Sequence, residues 1–173
     1  LVAAGTYVEP NVPYHNNSAG PNLYDKNNLV IMSNGSGSAI IDLDDHYYGF
    51  CFSHSSTNNI IDGFTIKNAQ ADRALVTTLN SSQDNTFQNC IFLTTDGEGV
   101  AGSIEYSGFK FVNCTFIGDG ANQLMTFGWN DDNTVEIINS IIYNYDSFIN
   151  NSFLSGVSIS YSEIYNVGGT LPT

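Results

Sequence analysis

The feature that most constrains this chain is a short pattern that returns at nearly constant intervals. A small or amide residue is followed by an outward position and then by a large apolar residue. It occurs in Asp62-Gly63-Phe64-Thr65-Ile66, Gln88-Asn89-Cys90-Ile91-Phe92, Val112-Asn113-Cys114-Thr115-Phe116, Ile138-Asn139-Ser140-Ile141-Ile142 and Ser160-Tyr161-Ser162-Glu163-Ile164. The closing residues, 66, 92, 116, 142 and 164, are separated by 26, 24, 26 and 22 positions. A period of roughly 20 to 50 residues is the mark of a solenoid, whose units cannot bury their apolar faces alone and stack on one another.

Short β-type runs lie between these segments, at residues 29–32, 39–43, 48–52, 74–76, 103–106, 124–127 and 147–149. Many alternate apolar with polar, and Asn, Asp, Gly and Ser bound them. Ten-residue helical periodicity with caps is missing throughout. Two or three short strands per period predict an all-β solenoid with inward columns. Ile66, Phe92, Phe116, Ile142 and Ile164 form one column; Phe64, Cys90, Cys114, Ser140 and Ser162 form another. Cys90 and Cys114 should then sit about one strand spacing (~4.8 Å) apart. That distance permits either a disulfide or two stacked reduced thiols.

Charge removes several functions. Four basic residues face 17 acidic ones, for a formal net charge of −13. That field repels nucleic acid phosphates and anionic membranes, and attracts cations or basic surfaces. No apolar run reaches the roughly 18 residues that would span a bilayer.

The run Val30-Ile31-Met32-Ser33-Asn34-Gly35-Ser36-Gly37-Ser38-Ala39-Ile40-Ile41-Asp42 resembles the opening of secreted bacterial β-helix repeat proteins of the pectin-lyase-like superfamily. So does Tyr48-Gly49-Phe50-Cys51-Phe52 followed by Asn59-Ile60-Ile61-Asp62-Gly63-Phe64-Thr65-Ile66-Lys67. Gly5-Thr6-Tyr7-Val8-Glu9 is similar to the segment that starts such domains, and residues 137–144 and 159–165 are similar to later coils. The resemblance implies a right-handed parallel β-helix of about six to seven coils in a secreted or cell-surface protein. Residues 1–28 are read as a first coil with a capping loop and residues 29–173 as the coils of a single domain. The chain is then either a piece of a longer protein or a subunit whose ends stack on neighbours.

The superfamily hosts many activities, so function rests on side chains. Lyase chemistry would need a basic residue beside clustered carboxylates, and Lys67 and Arg73 read instead as solvated loop residues. Hydrolysis would need paired carboxylates across a glycosidic bond. The acidic groups at Asp42-Leu43-Asp44-Asp45 and Asp131-Asp132 stand outside the sequence contexts of the hydrolase branch. No catalytic residue is assigned. Carboxylates in stacked turns suit calcium, a hard cation that takes six to eight oxygens. Asp96, Asp119 and Asp146, with Glu98 nearby, are the expected ligands of such an ion. Trp129, Tyr143 and Tyr145 fall outside the inward columns and are the expected carbohydrate-binding residues, since rings pack on sugar CH groups. Tyr47, Tyr106 and Tyr165 are further candidates for outward rings.

The function expected is a non-catalytic extracellular module with a structural, adhesive or carbohydrate-binding role, whose partner is a polysaccharide or cell-surface glycan. The alternatives are a subunit that stacks on copies of itself into a filament, and a fragment of a polysaccharide lyase or glycoside hydrolase.

Overall fold

A computed structural model describes residues 2, 5–8, 22–35, 39–78, 82–94, 99–104, 108–121, 123–127, 133–149 and 156–171. The described residues contain strands and turns and no α-helix. Among the described residues all strand pairing is parallel, and the strands line three faces of a coil.

The first face holds six strands: β3 (Val30–Met32), β5 (Ile60–Asp62), β7 (Asn85–Gln88), β10 (Gly108–Val112), β13 (Thr134–Ile138) and β16 (Val157–Ser160). The second holds β1 (Gly5–Val8), the first part of β4 (Ala39–Ser53), the first part of β6 (Phe64–Thr78), β8 (Ile91–Leu93), β11 (Thr115–Ile117), β14 (Ile141–Tyr145) and β17 (Glu163–Val167). The third holds β2 (Asn22–Tyr24), the later parts of β4 and β6, β9 (Gly99–Ile104), β12 (Gln123–Phe127) and β15 (Ser147–Ile149). Strands β4 and β6 therefore wrap a corner without a break in assignment. This is a parallel β-helix, with crossovers of the right-handed kind that parallel strands adopt. Its turns are slightly fewer than the six to seven coils expected. The capping loop expected within residues 1–28 lies largely outside the described residues.

The corner between the first and second faces explains the repeat. At each one a single residue lies in the left-handed region: Gly63 (φ 80°), Asn89 (φ 54°), Asn113 (φ 54°), Asn139 (φ 50°) and Tyr161 (φ 52°). Glycine enters this region without strain, and Asn tolerates it better than other side chains. The first four corner N–H groups donate to a carbonyl of the next coil: Gly63 to Gln88 (3.1 Å), Asn89 to Val112 (3.0 Å), Asn113 to Ile138 (3.0 Å) and Asn139 to Ser160 (3.0 Å). The amides continue the same line, with Asn139 Nδ2 donating to Asn113 Oδ1 (2.7 Å) and Asn113 Nδ2 to Asn89 Oδ1 (3.3 Å). Asn89 Nδ2 ends it on Asp62 Oδ1 (2.8 Å). Asn113 thus stands at an exposed corner rather than within a strand.

Past each corner the side chains point in, out, in, and both expected columns form. Phe64, Cys90, Cys114 and Ser140 are buried, as are Ile66, Phe92, Phe116 and Ile142. Ser162 and Ile164 are half-buried, since no described coil lies beyond them. Phenylalanines fill the interior. Phe92 stacks on Phe116 with ring centres 4.9 Å apart, and Phe87 stacks on Phe111 at 5.6 Å. Phe87 also meets Phe50, Phe52, Phe92 and Phe109 edge-on. Where polar groups enter the interior they pair: Asn59 Nδ2 donates to Asn85 Oδ1 (2.9 Å), and Asn85 Nδ2 to the Ser56 carbonyl (2.9 Å).

Two stability outcomes follow. Phe87→Ala opens a cavity shared by several coils and should lower unfolding free energy by about 3–5 kcal/mol, read from urea denaturation. Asn113→Ala should be more damaging than Asn113→Gly by about 1–2 kcal/mol. Both lose the amide ladder, but only glycine accepts the corner's positive φ.

Candidate functional site

Two outward surfaces carry side chains suited to recognition. The larger lies on the second face. Its outer positions form two rows along the solenoid axis, fixed by strand register. One row runs Ile40, Thr65, Ile91, Thr115, Ile141, Glu163; the other runs Asp42, Lys67, Leu93, Ile117, Tyr143, Tyr165. The rows change character along the axis. At one end Lys67 Nζ pairs with Asp42 Oδ2 at 2.8 Å, and Asn68 Nδ2 donates to Asp42 Oδ1 at 2.7 Å. Towards the other end the strip turns apolar and aromatic, with Ile141 44%, Tyr143 47% and Tyr165 54% exposed. Tyr143 and Tyr165 are direct register partners, so their side chains stand about one strand spacing (~4.8 Å) apart. The Tyr165 hydroxyl donates to Glu163 Oε2 at 3.2 Å. Large apolar side chains clustered on a sheet face, rimmed by polar groups, mark a binding surface.

The second surface is a groove of about 340 Å³ on the first face, lined by Asp84, Thr86, Gly108, Lys110, Thr134 and Glu136 among others. Lys110 and Glu136 are register partners and form an ion pair at 3.1 Å. Gly108 lets the strands approach here, because a Cβ on it would fall 2.3 Å from Thr134 Oγ1. The pair is about half exposed and adds little stability.

The residues expected to bind carbohydrate separate. Tyr143 lies on the exposed strip. Trp129 lies outside the described residues. Tyr145 is a correction: it is buried, with 1% exposure, and its hydroxyl meets Thr94 Oγ1 at 3.1 Å. Strict alternation along β14 would turn Tyr145 outward with Tyr143. Asn144 lies between them in the left-handed region (φ 64°) and resets the alternation. Gly118 makes room for the inward ring, since a Cβ on it would come within 2.9 Å of Tyr145 Cδ1. Tyr165, by contrast, belongs to the strip, and its position 22 residues after Tyr143 is the signal that pairs them.

The expected calcium ligands are not brought together among the described residues. Asp96 and Glu98 lie outside them. Asp119 sits in the turn between Gly118 and Gly120, level with Tyr143 and Asn144 of the next coil, and its Oδ1 accepts the Ala121 N–H (2.9 Å). Asp146 follows Tyr145, and its carbonyl lies against Gly168 in the last coil. No group of three or more His, Cys, Asp or Glu side chains suited to a metal occurs among the described residues.

The three cysteines are free and buried. Burial pushes the Cys51 thiol up to about 11 from 9.0. A hydrogen bond between Cys90 and Cys114, followed by burial, holds the Cys114 proton well beyond the ordinary thiol range. Burial likewise raises the Tyr145 hydroxyl.

No family model and no curated protein matches the sequence. Among solved structures, the chain resembles a pectate lyase, with 15% identity and a TM-score of 0.51 over 86% of this chain and 46% of that one. It also aligns with a rhamnogalacturonan lyase, with 13% identity and a TM-score of 0.47 over 97% of this chain and 66% of that one. The likeness to the pectate lyase is one of fold. The chain spans about half of that enzyme's length.

The buried groups set an alkaline limit. Unfolded thiols ionise near 9.0, whereas folded Cys51 keeps its proton to about 11. Between those values the unfolded chain binds fewer protons than the folded one, so stability falls as pH rises. Cys114 and Tyr145 act in the same direction. Urea midpoints should be insensitive to these groups below pH 9. They should then decline towards pH 11, with Cys51 contributing at most about 1.4 kcal/mol per pH unit. The Cys51→Ala variant should show a shallower decline.

Proposed function

We propose that the protein is a non-catalytic carbohydrate-binding module and that the strip on the second face is its binding surface. The observation that carries this reading is the pair Tyr143 and Tyr165, exposed and in register on a flat parallel sheet. Sugars offer CH-rich faces that pack against such rings, while hydroxyls at the rim find polar partners. Ile117 and Ile141 extend the contact surface by one coil, and Glu163 supplies an acceptor at its edge. A rigid sheet keeps the rings in place before binding, which lowers the entropy lost on association.

Two further points support this reading. The fold is shared with a pectate lyase, which favours a carbohydrate-related role. The described ionisable groups favour binding over catalysis. Both sheet lysines, Lys67 and Lys110, are held in ion pairs, and Tyr145, Cys51 and Cys114 are buried in the core.

The test is affinity electrophoresis against a panel of soluble polysaccharides. Tyr143→Ala and Tyr165→Ala should each weaken retention of the bound polymer several-fold, and the double variant tenfold or more, with unchanged melting temperatures. Full retention by the double variant would remove the strip as the binding surface. Depolymerisation of the bound polymer by the wild-type protein would contradict a non-catalytic role.

A further inference from the structure

We infer that the strip selects an uncharged glycan lying along the solenoid axis, and that it discriminates against polyuronates. This rests on the carbohydrate-binding reading and adds the class of ligand. The apolar part of the second row spans four strands, from Leu93 to Tyr165, about 14 Å at the ~4.8 Å spacing of neighbouring strands. That is room for a short run of sugar rings stacked over Leu93, Ile117, Tyr143 and Tyr165, with Ile141 beside them.

The charges decide what kind of sugar. A polyuronate carries a carboxylate on each residue and needs cations along its track. The strip offers one lysine, Lys67, and Asp42 already holds it at 2.8 Å, with Asn68 on the other oxygen of the same carboxylate. The aromatic end offers a carboxylate instead, Glu163, bonded to the Tyr165 hydroxyl. The groove on the first face is no better for an anion, since Lys110 pairs with Glu136 and Asp84 lines the same space. Lys26 lies in the turn between β2 and β3, and Arg73 lies in the part of β6 that pairs with β9 on the third face. The chain as a whole carries −13. Every uronate brought to the strip would therefore meet repulsion, with the one lysine of the strip already matched to Asp42. A neutral chain loses nothing to that field and gains the same ring contacts.

The experiment compares neutral β-glucan, xylan and galactomannan with polygalacturonate and alginate. Retention is measured for the wild-type protein and for the Tyr143→Ala/Tyr165→Ala double variant, each with calcium and with EDTA. At least one neutral polymer should be retained with a calcium-independent affinity that falls tenfold or more in the double variant. Polygalacturonate and alginate should bind at least tenfold more weakly under both conditions. Equal or tighter binding of a polyuronate, lost in the double variant, would overturn the selectivity while leaving the glycan-binding surface in place. If that binding required calcium, the missing cations would be supplied by the metal and the charge argument would fail. Failure to retain any polymer would instead overturn the carbohydrate-binding reading on which the selectivity stands.

Discussion

Five coils of this protein turn from first face to second on one residue held at positive φ, and the rest of the structure depends on that corner. Because the turn hinges on a single residue, the next side chain points inward and the one after it outward in each of those five coils. The corner N–H is tied to the coil beyond it, so the register between coils is set at the same place. Asn is well suited to the position. It tolerates the left-handed region, and its amide bonds to the amide of the neighbouring corner, which turns a local backbone requirement into a ladder along the axis. Gly63 and Tyr161 meet the backbone requirement at the two ends without extending the ladder.

The core and the exposed outer strip are therefore one register seen from two sides. Ile142 is buried because Ile141 and Tyr143 are exposed. A slip of one residue would move the whole set to the opposite side of the sheet. The stacked phenylalanines that fill the interior penalise such a slip heavily, so the outer rings inherit rigidity from a core they never touch. Surface rows that would be vague in an isolated hairpin become fixed tracks on a solenoid.

The same corner explains which parts of the molecule were legible in the sequence. The columns through Phe92 and Cys90 were readable because they lie at constant offsets from the corner, and that offset is the repeated pattern itself. The second corner was harder to see. It falls at Asn68, Asn144 and Asn166, whose positive φ interrupts the alternation of strands that otherwise read as regular. Tyr145 was misplaced for that reason, whereas Tyr143, on the near side of Asn144, kept its outward position. Asp119 and Asp146 lie in turns beyond the strands of the second face, and Asp96 and Glu98 lie outside the described residues. The ion pair between Lys110 and Glu136 could have been found by applying the period to the first face, since the two residues are 26 positions apart.

Period and charge together shape what the outer face can recognise. A solenoid repeats its outward rows at one strand spacing, so it presents similar groups in a line and suits a ligand that also repeats in a line. Towards one end the rows are built from apolar and aromatic side chains, and the two lysines on the first and second faces, Lys67 and Lys110, are matched to carboxylates within the protein. Pairing Lys67 with Asp42 and Lys110 with Glu136 lets a strongly acidic chain bring adjacent coils together with less repulsion. That pairing also engages the lysine nearest the strip. The charge arrangement that eases stacking of the coils is thus also the one from which we infer a neutral ligand for the strip.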